Sequence, residues 1–166
     1  MKSALFSSLI FAGASLLAAP AFAQATSNMA VTLSVDDECT IAAGPLAFGS
    51  TGLLDAVIDV TADLTVHCTI GSPYSIALSA GAGTAVTARV LTSITPAGTI
   101  NYGLFKEVGR TTNWGETIGT DTLDSAAATG ADETVVVYGR IPAGQTAPAG
   151  DYTDTIVATI WYGAAL

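Results

Sequence analysis

Apolar and polar residues alternate with a period of two along most of this chain, and the 3.6-residue period of a helix is hard to find. Val60 to Ile70 shows the pattern best. Val60, Ala62, Leu64, Val66, Cys68 and Ile70 fall on one face, and Thr61, Asp63, Thr65, His67 and Thr69 on the other. That is the signature of a half-buried strand in an antiparallel sheet. Gly71-Ser72-Pro73 turns the chain, and Tyr74, Ile76, Leu78 and Ala80 predict the next inward face. Val86 to Ile94 predicts a strand, Thr95-Pro96-Ala97-Gly98 a turn, and Ile100, Tyr102 and Leu104 another strand ending near Lys106. From Val108 to Asp132 the chain is polar and rich in Gly and Thr, which predicts a long loop with short strand pieces. Thr134 to Ile141 predicts a strand with Val135, Val137 and Ile141 on one side, and Pro142 to Gly150 a turn. Tyr152 to Tyr162 predicts the last strand, with Ile156, Ala158, Ile160 and Tyr162 on one face. Val157 and Trp161 take the other face, so burial on both sides is expected. About six strands follow from Ile41 onward, where an immunoglobulin-like sandwich has about seven.

The N-terminus has a different character. Lys2, an apolar stretch from Ala4 to Leu17 and the small-x-small triplet Ala21-Phe22-Ala23 predict a secretory signal peptide over residues 1–23. Cleavage is expected between Ala23 and Gln24. A membrane anchor is the competing reading, but the apolar run falls short of the roughly 20 residues that a spanning helix needs. Residues 24–38 then form an extension with its own pattern. After Asn28, the apolar Met29, Val31, Leu33 and Val35 alternate with Ala30, Thr32 and Ser34, and Asp36-Asp37-Glu38 separates them from the domain at 39–166. Two readings stand: an ordinary first strand of its own sheet, or a strand meant for another molecule's sheet.

Composition narrows the function. The 166 residues carry five Lys and Arg against fourteen Asp and Glu, a formal net charge of -9, and only 11% are charged. A nucleic-acid binder needs cationic side chains to displace counterions, and an acidic chain is not drawn to anionic lipid. Disorder is excluded by the wealth of apolar residues. In an oxidising compartment, the even count of Cys39 and Cys68 predicts one disulfide. Closing a loop of about 30 residues contributes about 3 to 4 kcal/mol in the chain-entropy view. A redox-active pair lacks the C-x-x-C spacing.

Candidate chemistry is thin. His67 falls on a polar strand face, and no G-x-S-x-G elbow is present. Gly81-Ala82-Gly83 begins a phosphate-loop pattern, but Val86 stands at its last position. Asp121 with Asp124 and Asp132 with Glu133 sit in turn-like segments, where Asp caps and turns the chain. Asp36-Asp37-Glu38 reads as a solvated linker ahead of a calcium site. Trp114 in its loop and Trp161 are the side chains suited to stacking on a sugar, with Trp161 expected inside the sandwich. No enzymatic activity, metal or cofactor is expected.

Five segments together carry a family resemblance. They are Met29 to Cys39 followed by Thr40-Ile41, "PLAFGS" at Pro45 to Ser50, "LTVHCT" at Leu64 to Thr69, "INYGLFKEVGRTTNWGE" at Ile100 to Glu116, and "VYGRIPAGQTAPAGDYTDTIVATIWY" at Val137 to Tyr162. The chain resembles spore coat protein U domain proteins, the fold family of archaic chaperone–usher pilins of the Csu type. The resemblance implies an all-β fold, an incomplete immunoglobulin-like antiparallel sandwich lacking its last strand. It implies an N-terminal donor strand, here Met29, Val31, Leu33 and Val35, that completes a neighbouring copy. The acceptor groove maps to Leu46, Phe48, Ile156, Ile160 and Tyr162. The implied partners are a periplasmic chaperone, an outer-membrane usher and other copies of the chain, with no nucleic acid and no stable membrane insertion. The implied role is a structural subunit of a surface pilus of a Gram-negative bacterium, exported through the periplasm and supporting adhesion and biofilm formation. The alternatives are a carbohydrate- or surface-binding adhesin module, and a self-complemented monomeric envelope or coat protein.

Overall fold

A computed structural model describes residues 22–163. The proposed leader lies almost wholly outside the described residues, as do positions 164–166. The chain divides at Ser34/Val35 into two units. In the leading unit, the described residues 22–34 form no strand.

The main unit is all-β. Its strands are β1 (Cys39–Ala43), β2 (Ile58–Cys68), β3 (Tyr74–Leu78), β4 (Arg89–Ile94), β5 (Ala97–Phe105), β6 (Leu123–Ser125), β7 (Glu133–Ile141) and β8 (Ala158–Tyr162). They form a five-stranded sheet, β1-β2-β7-β5-β4, and a three-stranded sheet, β6-β3-β8. Every pairing is antiparallel. One sheet therefore ends on β1 and the other on β8, and these two strands approach each other without pairing. Among the described residues no helix is long and apolar enough to cross a membrane.

The period-two pattern explains where the core lies. β2 buries Leu64, Val66 and Cys68 and turns Thr61, Asp63, Thr65 and His67 to water. Ile76 and Leu78 of β3, Tyr102 and Leu104 of β5, and Val137 and Ile141 of β7 meet them in one cluster. β1 is laid against β2 with Cys39 opposite Cys68. The two are joined by a disulfide with their Cα atoms 4.1 Å apart, as suits directly facing residues of an antiparallel pair.

Several expectations need correction. Eight strands are present among the described residues where about six were counted, because β1 and the short β6 also pair. The last strand is only Ala158–Tyr162, not Tyr152 to Tyr162. Thr153 instead bridges Thr92 on the outer edge of β4. Asp154 then ends any ladder locally, because its carboxylate accepts from the backbone of Ala82 at 2.8 Å and of Thr155 at 2.7 Å. Val157 and Trp161 are exposed, so β8 is not buried on both faces. β3 is the strand buried on both faces, and the polar stretch before β6 bonds to its backbone, with Leu78 N–H donating to the Gly115 carbonyl at 3.0 Å. Trp114, expected in a loop, is fully buried there, and its indole donates to the Ile76 carbonyl at 2.8 Å. Ile70 lies past the end of β2 and is exposed. The turn between β4 and β5 is the two residues Thr95-Pro96, with Ala97 and Gly98 already in the ladder.

Two polar devices fasten the sheets. Arg89 opens β4 with its side chain completely buried. Its guanidinium donates to the carbonyls of Ser79, Val86, Leu78 and Trp114 at 2.7 to 2.8 Å. Burial pushes its pKa below the ordinary arginine value, yet four carbonyls hold the cation and so tie β4 to β3 and to the Trp114 loop. On the solvent face, Arg110 adopts φ 53° and donates to Val60 and Gly139 carbonyls at 3.2 Å, on adjacent strands. Glu107 braces that loop: one carboxylate oxygen accepts from the Thr111 backbone at 2.6 Å, the Thr111 hydroxyl at 2.7 Å and the Thr112 backbone at 2.8 Å. The Thr111 hydroxyl bond leads in holding its pKa down to about 2.

Three outcomes follow from this architecture. Arg89→Met leaves four carbonyls, two of them buried and two part-buried, without their donor and is expected to cost about 3 to 5 kcal/mol in urea unfolding; an unchanged midpoint would refute the fastening role. Glu107 has a depressed folded pKa, so its contribution is fully present above the unfolded value near 4.5 and fades as pH falls toward about 2. Unfolding measured across that window should be less pH-dependent in Glu107→Gln than in the parent. Cys39→Ser should lower the melting temperature of the chain, by the loss of about 3 to 4 kcal/mol of loop constraint.

Candidate functional site

An apolar cavity of about 290 Å³ opens within the main unit. One wall is the stretch after β1, from Ala43 through Gly44, Pro45 and Leu46 to Phe48. The facing wall is the stretch that leads into β8, Asp154, Thr155, Ile156 and Ala158. The floor comes from the inward faces of the strands: Ala62 and Leu64 of β2, Leu78 of β3, Leu91 of β4, Tyr102 and Leu104 of β5, and Val137 of β7. The hollow thus lies beside the same two strands, β1 and β8, that end their sheets without pairing to each other.

Local sequence shapes each wall. Leu46 and Phe48 alternate with the small Ala47, so both reach the interior. They do so over Gly139 of β7, where a Cβ would come within 3.0 Å of Leu46 and 3.2 Å of Phe48. Glycine at that point in an otherwise Val-rich strand lets the wall approach the floor. Phe48 packs edge-on to Tyr102, ring centroids 5.9 Å apart and planes at 68°, an arrangement aromatic rings favour.

One end of the cavity is polar. The Tyr102 hydroxyl donates to Asp154 at 2.6 Å. Burial first, then that bond to a carboxylate, pushes the Tyr102 pKa far above its ordinary value. Tyr102 therefore stays a neutral donor, and the bond pins the β8 approach to β5. The arrangement has no nucleophile beside a base. His67 is exposed and bonded to Asp132 at 2.7 Å, on the far face of β2. Among the described residues, no three His, Cys, Asp or Glu side chains are placed to hold a metal ion. What the site offers is apolar surface for another apolar group.

The sequence-proposed groove residues divide. Leu46, Phe48 and Ile156 line the cavity together. Ile160 and Tyr162 lie farther along β8, opposite Ile76 and Tyr74, and Tyr162 is 43% exposed. The floor residues were missed as site residues, although Leu64, Leu78, Leu104 and Val137 all stand on strand faces that the alternation marks as inward. Asp154 carried no local signal, because its partners Tyr102 and Ala82 are distant in sequence. In the leading unit, Met29, Val31 and Leu33 are 87 to 89% exposed, and Val35 in the main unit is 74% exposed.

Comparison with known proteins fits this architecture. The profile of the spore coat protein U domain matches residues 25–159. The chain is 36% identical over 173 residues to "Protein U" of Myxococcus xanthus, covering 92% of this chain and 94% of that protein. Among solved structures it is similar in fold to a chain of the CsuC–CsuE chaperone–tip adhesion subunit pre-assembly complex from the archaic chaperone–usher Csu pili of Acinetobacter baumannii. That match has a TM-score of 0.57 at 24% identity, over 75% of this chain and 39% of the other. The extent of the domain match and the likeness to Protein U together make this chain a member of the spore coat protein U domain family.

Proposed function

We propose that the chain is a structural, non-catalytic subunit of a bacterial surface fibre, joined to its neighbours by donation of the N-terminal strand. The observation that carries the reading is the apolar hollow beside two sheet-ending strands, β1 and β8, in a chain that also holds an alternating, exposed Met29–Val35 segment. An open sheet edge is a template for another strand. A strand added there satisfies backbone groups along its length and places alternate side chains in the hollow. Burying each of Met29, Val31, Leu33 and Val35 contributes about 1.5 to 3 kcal/mol before ordering costs. The fold likeness to a chain of a chaperone–subunit complex supports a periplasmic chaperone as the first occupant of the hollow, with an outer-membrane usher as the place of exchange. Export after cleavage at Ala23-Gln24, a cell-surface location, and roles in adhesion and biofilm growth belong to the same reading.

A second reading has its own support. Likeness to Protein U over nearly the whole chain, and membership of a family named for a spore coat, favour a coat or envelope protein that completes itself and stays monomeric.

Sheared surface material run on SDS gels without boiling separates the two. The fibre reading expects a ladder of SDS-resistant oligomers from the parent chain. Deletion of residues 28–35 should leave a subunit that still associates with chaperone but yields no ladder. A normal ladder from the deletion overturns the donor assignment, and monomer alone from the parent favours the coat reading.

A further inference from the structure

The acidic stretch ahead of the domain is exposed, as a solvated linker should be, yet its backbone is anchored. Thr69, just past the end of β2, holds it from one side. The Thr69 hydroxyl donates to the Asp36 carbonyl at 3.1 Å and accepts from the Glu38 backbone at 3.2 Å. The Thr69 backbone N–H donates to the Glu38 carbonyl at 2.9 Å. A hydroxyl can do both at once, having one donor and two lone pairs. On the other side lies Gly163, which follows β8 and donates to the Pro73 carbonyl at 3.1 Å. A Cβ at Gly163 would stand 3.5 Å from the Asp37 carboxylate. Asp36 to Glu38 is thereby fixed beside the end of the domain that carries the Cys39–Cys68 bridge.

The anchoring leaves little slack. Consecutive Cα atoms are about 3.8 Å apart, so Val35 is a single step from the anchored Asp36. A copy that takes up Met29 to Val35 must bring its body against this end of the donor. The end is shaped for contact. Ile70 is 75% exposed, a large apolar side chain on an otherwise polar turn. It is backed by Gly130, where φ is 81° and a Cβ would stand 2.9 Å from that of Ile70. A hollow of about 420 Å³ lies beside it, lined by Glu38, Thr40, His67, Thr69 and Thr129 among others.

We infer that this end of the domain is the surface on which the next copy of the chain abuts, and that Thr69 is the positioning residue that sets the angle between consecutive copies. The inference rests on the strand-donation reading and extends it from the fact of linkage to the shape of the fibre. Strand donation alone would permit a freely jointed chain. An anchored linker and an abutting apolar side chain give a fibre of defined angle.

The test compares fibres of the full chain carrying Thr69→Val, Thr69→Ser or Ile70→Glu with the parent, by unboiled SDS gels and by persistence length in electron micrographs. All four chains are expected to give the same ladder. Loss of the two hydrogen bonds made by the hydroxyl raises the unlatched linker population about thirtyfold, so Thr69→Val fibres should be more flexible than the parent while Thr69→Ser fibres match it. Ile70→Glu fibres should also be more flexible. Where Thr69→Val fails to fold or assemble, Ile70→Glu decides by the same measure. Equal stiffness in the Val and Glu variants overturns the inference while leaving strand donation intact. Absence of a ladder from the parent overturns strand donation, and the inference with it.

Discussion

A β-strand can leave neither its backbone groups nor its apolar face unaccounted for. In this domain four strands end a sheet, β1, β4, β6 and β8, and two of them meet at one seam. β2, β7, β5 and β3 each lie between two neighbours. The outer edge of β4 is bridged by Thr153. The seam between β1 and β8 is where the two sheets come together without a shared ladder, and the apolar hollow lies alongside it. Everything else in the fold can be understood as keeping that seam in shape.

The fastenings surround the hollow without filling it. The disulfide ties β1 to β2, so the strand at the edge cannot peel away from its sheet. Arg89 ties β4 to β3 and to the Trp114 loop through four backbone carbonyls. The Tyr102–Asp154 bond holds the approach to β8 against β5. Each restrains a different wall. Hydrophobic collapse alone would draw Leu46 and Phe48 toward Ile156 and shrink the opening, because apolar surface left in water costs free energy in proportion to its area. Directional polar bonds resist that collapse, since they fix distances where apolar contact only favours proximity. On the proposed reading, this is why a domain with so few charged residues spends a fully buried arginine on its interior.

Strand positions were legible because period two is a local property. The facing sets Leu64-Val66-Cys68, Ile76-Leu78, Tyr102-Leu104 and Val137-Ile141 can be read from neighbouring residues, and they make up the core. Three of the five groove residues that the family resemblance implied, Leu46, Phe48 and Ile156, meet on one hollow; that assignment came from the resemblance and not from the alternation. What stayed hidden were partners brought together over long separations. Nothing near Arg89 announces that carbonyls from Leu78 and Trp114 will close on it. Trp114 does lie in a loop, but the polar stretch around it gave no sign that it would be buried against β3, with its indole bonded to Ile76 far away in sequence. Tyr152 to Val157 carries a strand's alternation, yet the Asp154 carboxylate takes backbone donors that a ladder would have used. Thr69 was simply a polar residue in phase with the wet face, and its grip on Asp36 and Glu38 depends on β1 lying beside β2.

Direction follows from the same asymmetry. The proposed donor segment and the proposed acceptor hollow are different parts of one chain, so contact between copies is heterologous and does not close on itself as a two-fold dimer would. Such a contact extends in one line, and its pitch depends on how firmly the donor leaves its own domain. The formal net charge of -9 works on the other dimension. Like charge disfavours sideways association of copies, while the buried strand that links them along the line is apolar and little affected by it. On the proposed reading, a single short anchored segment, Asp36 to Glu38, separates a string of loosely jointed domains from a fibre with a shape of its own.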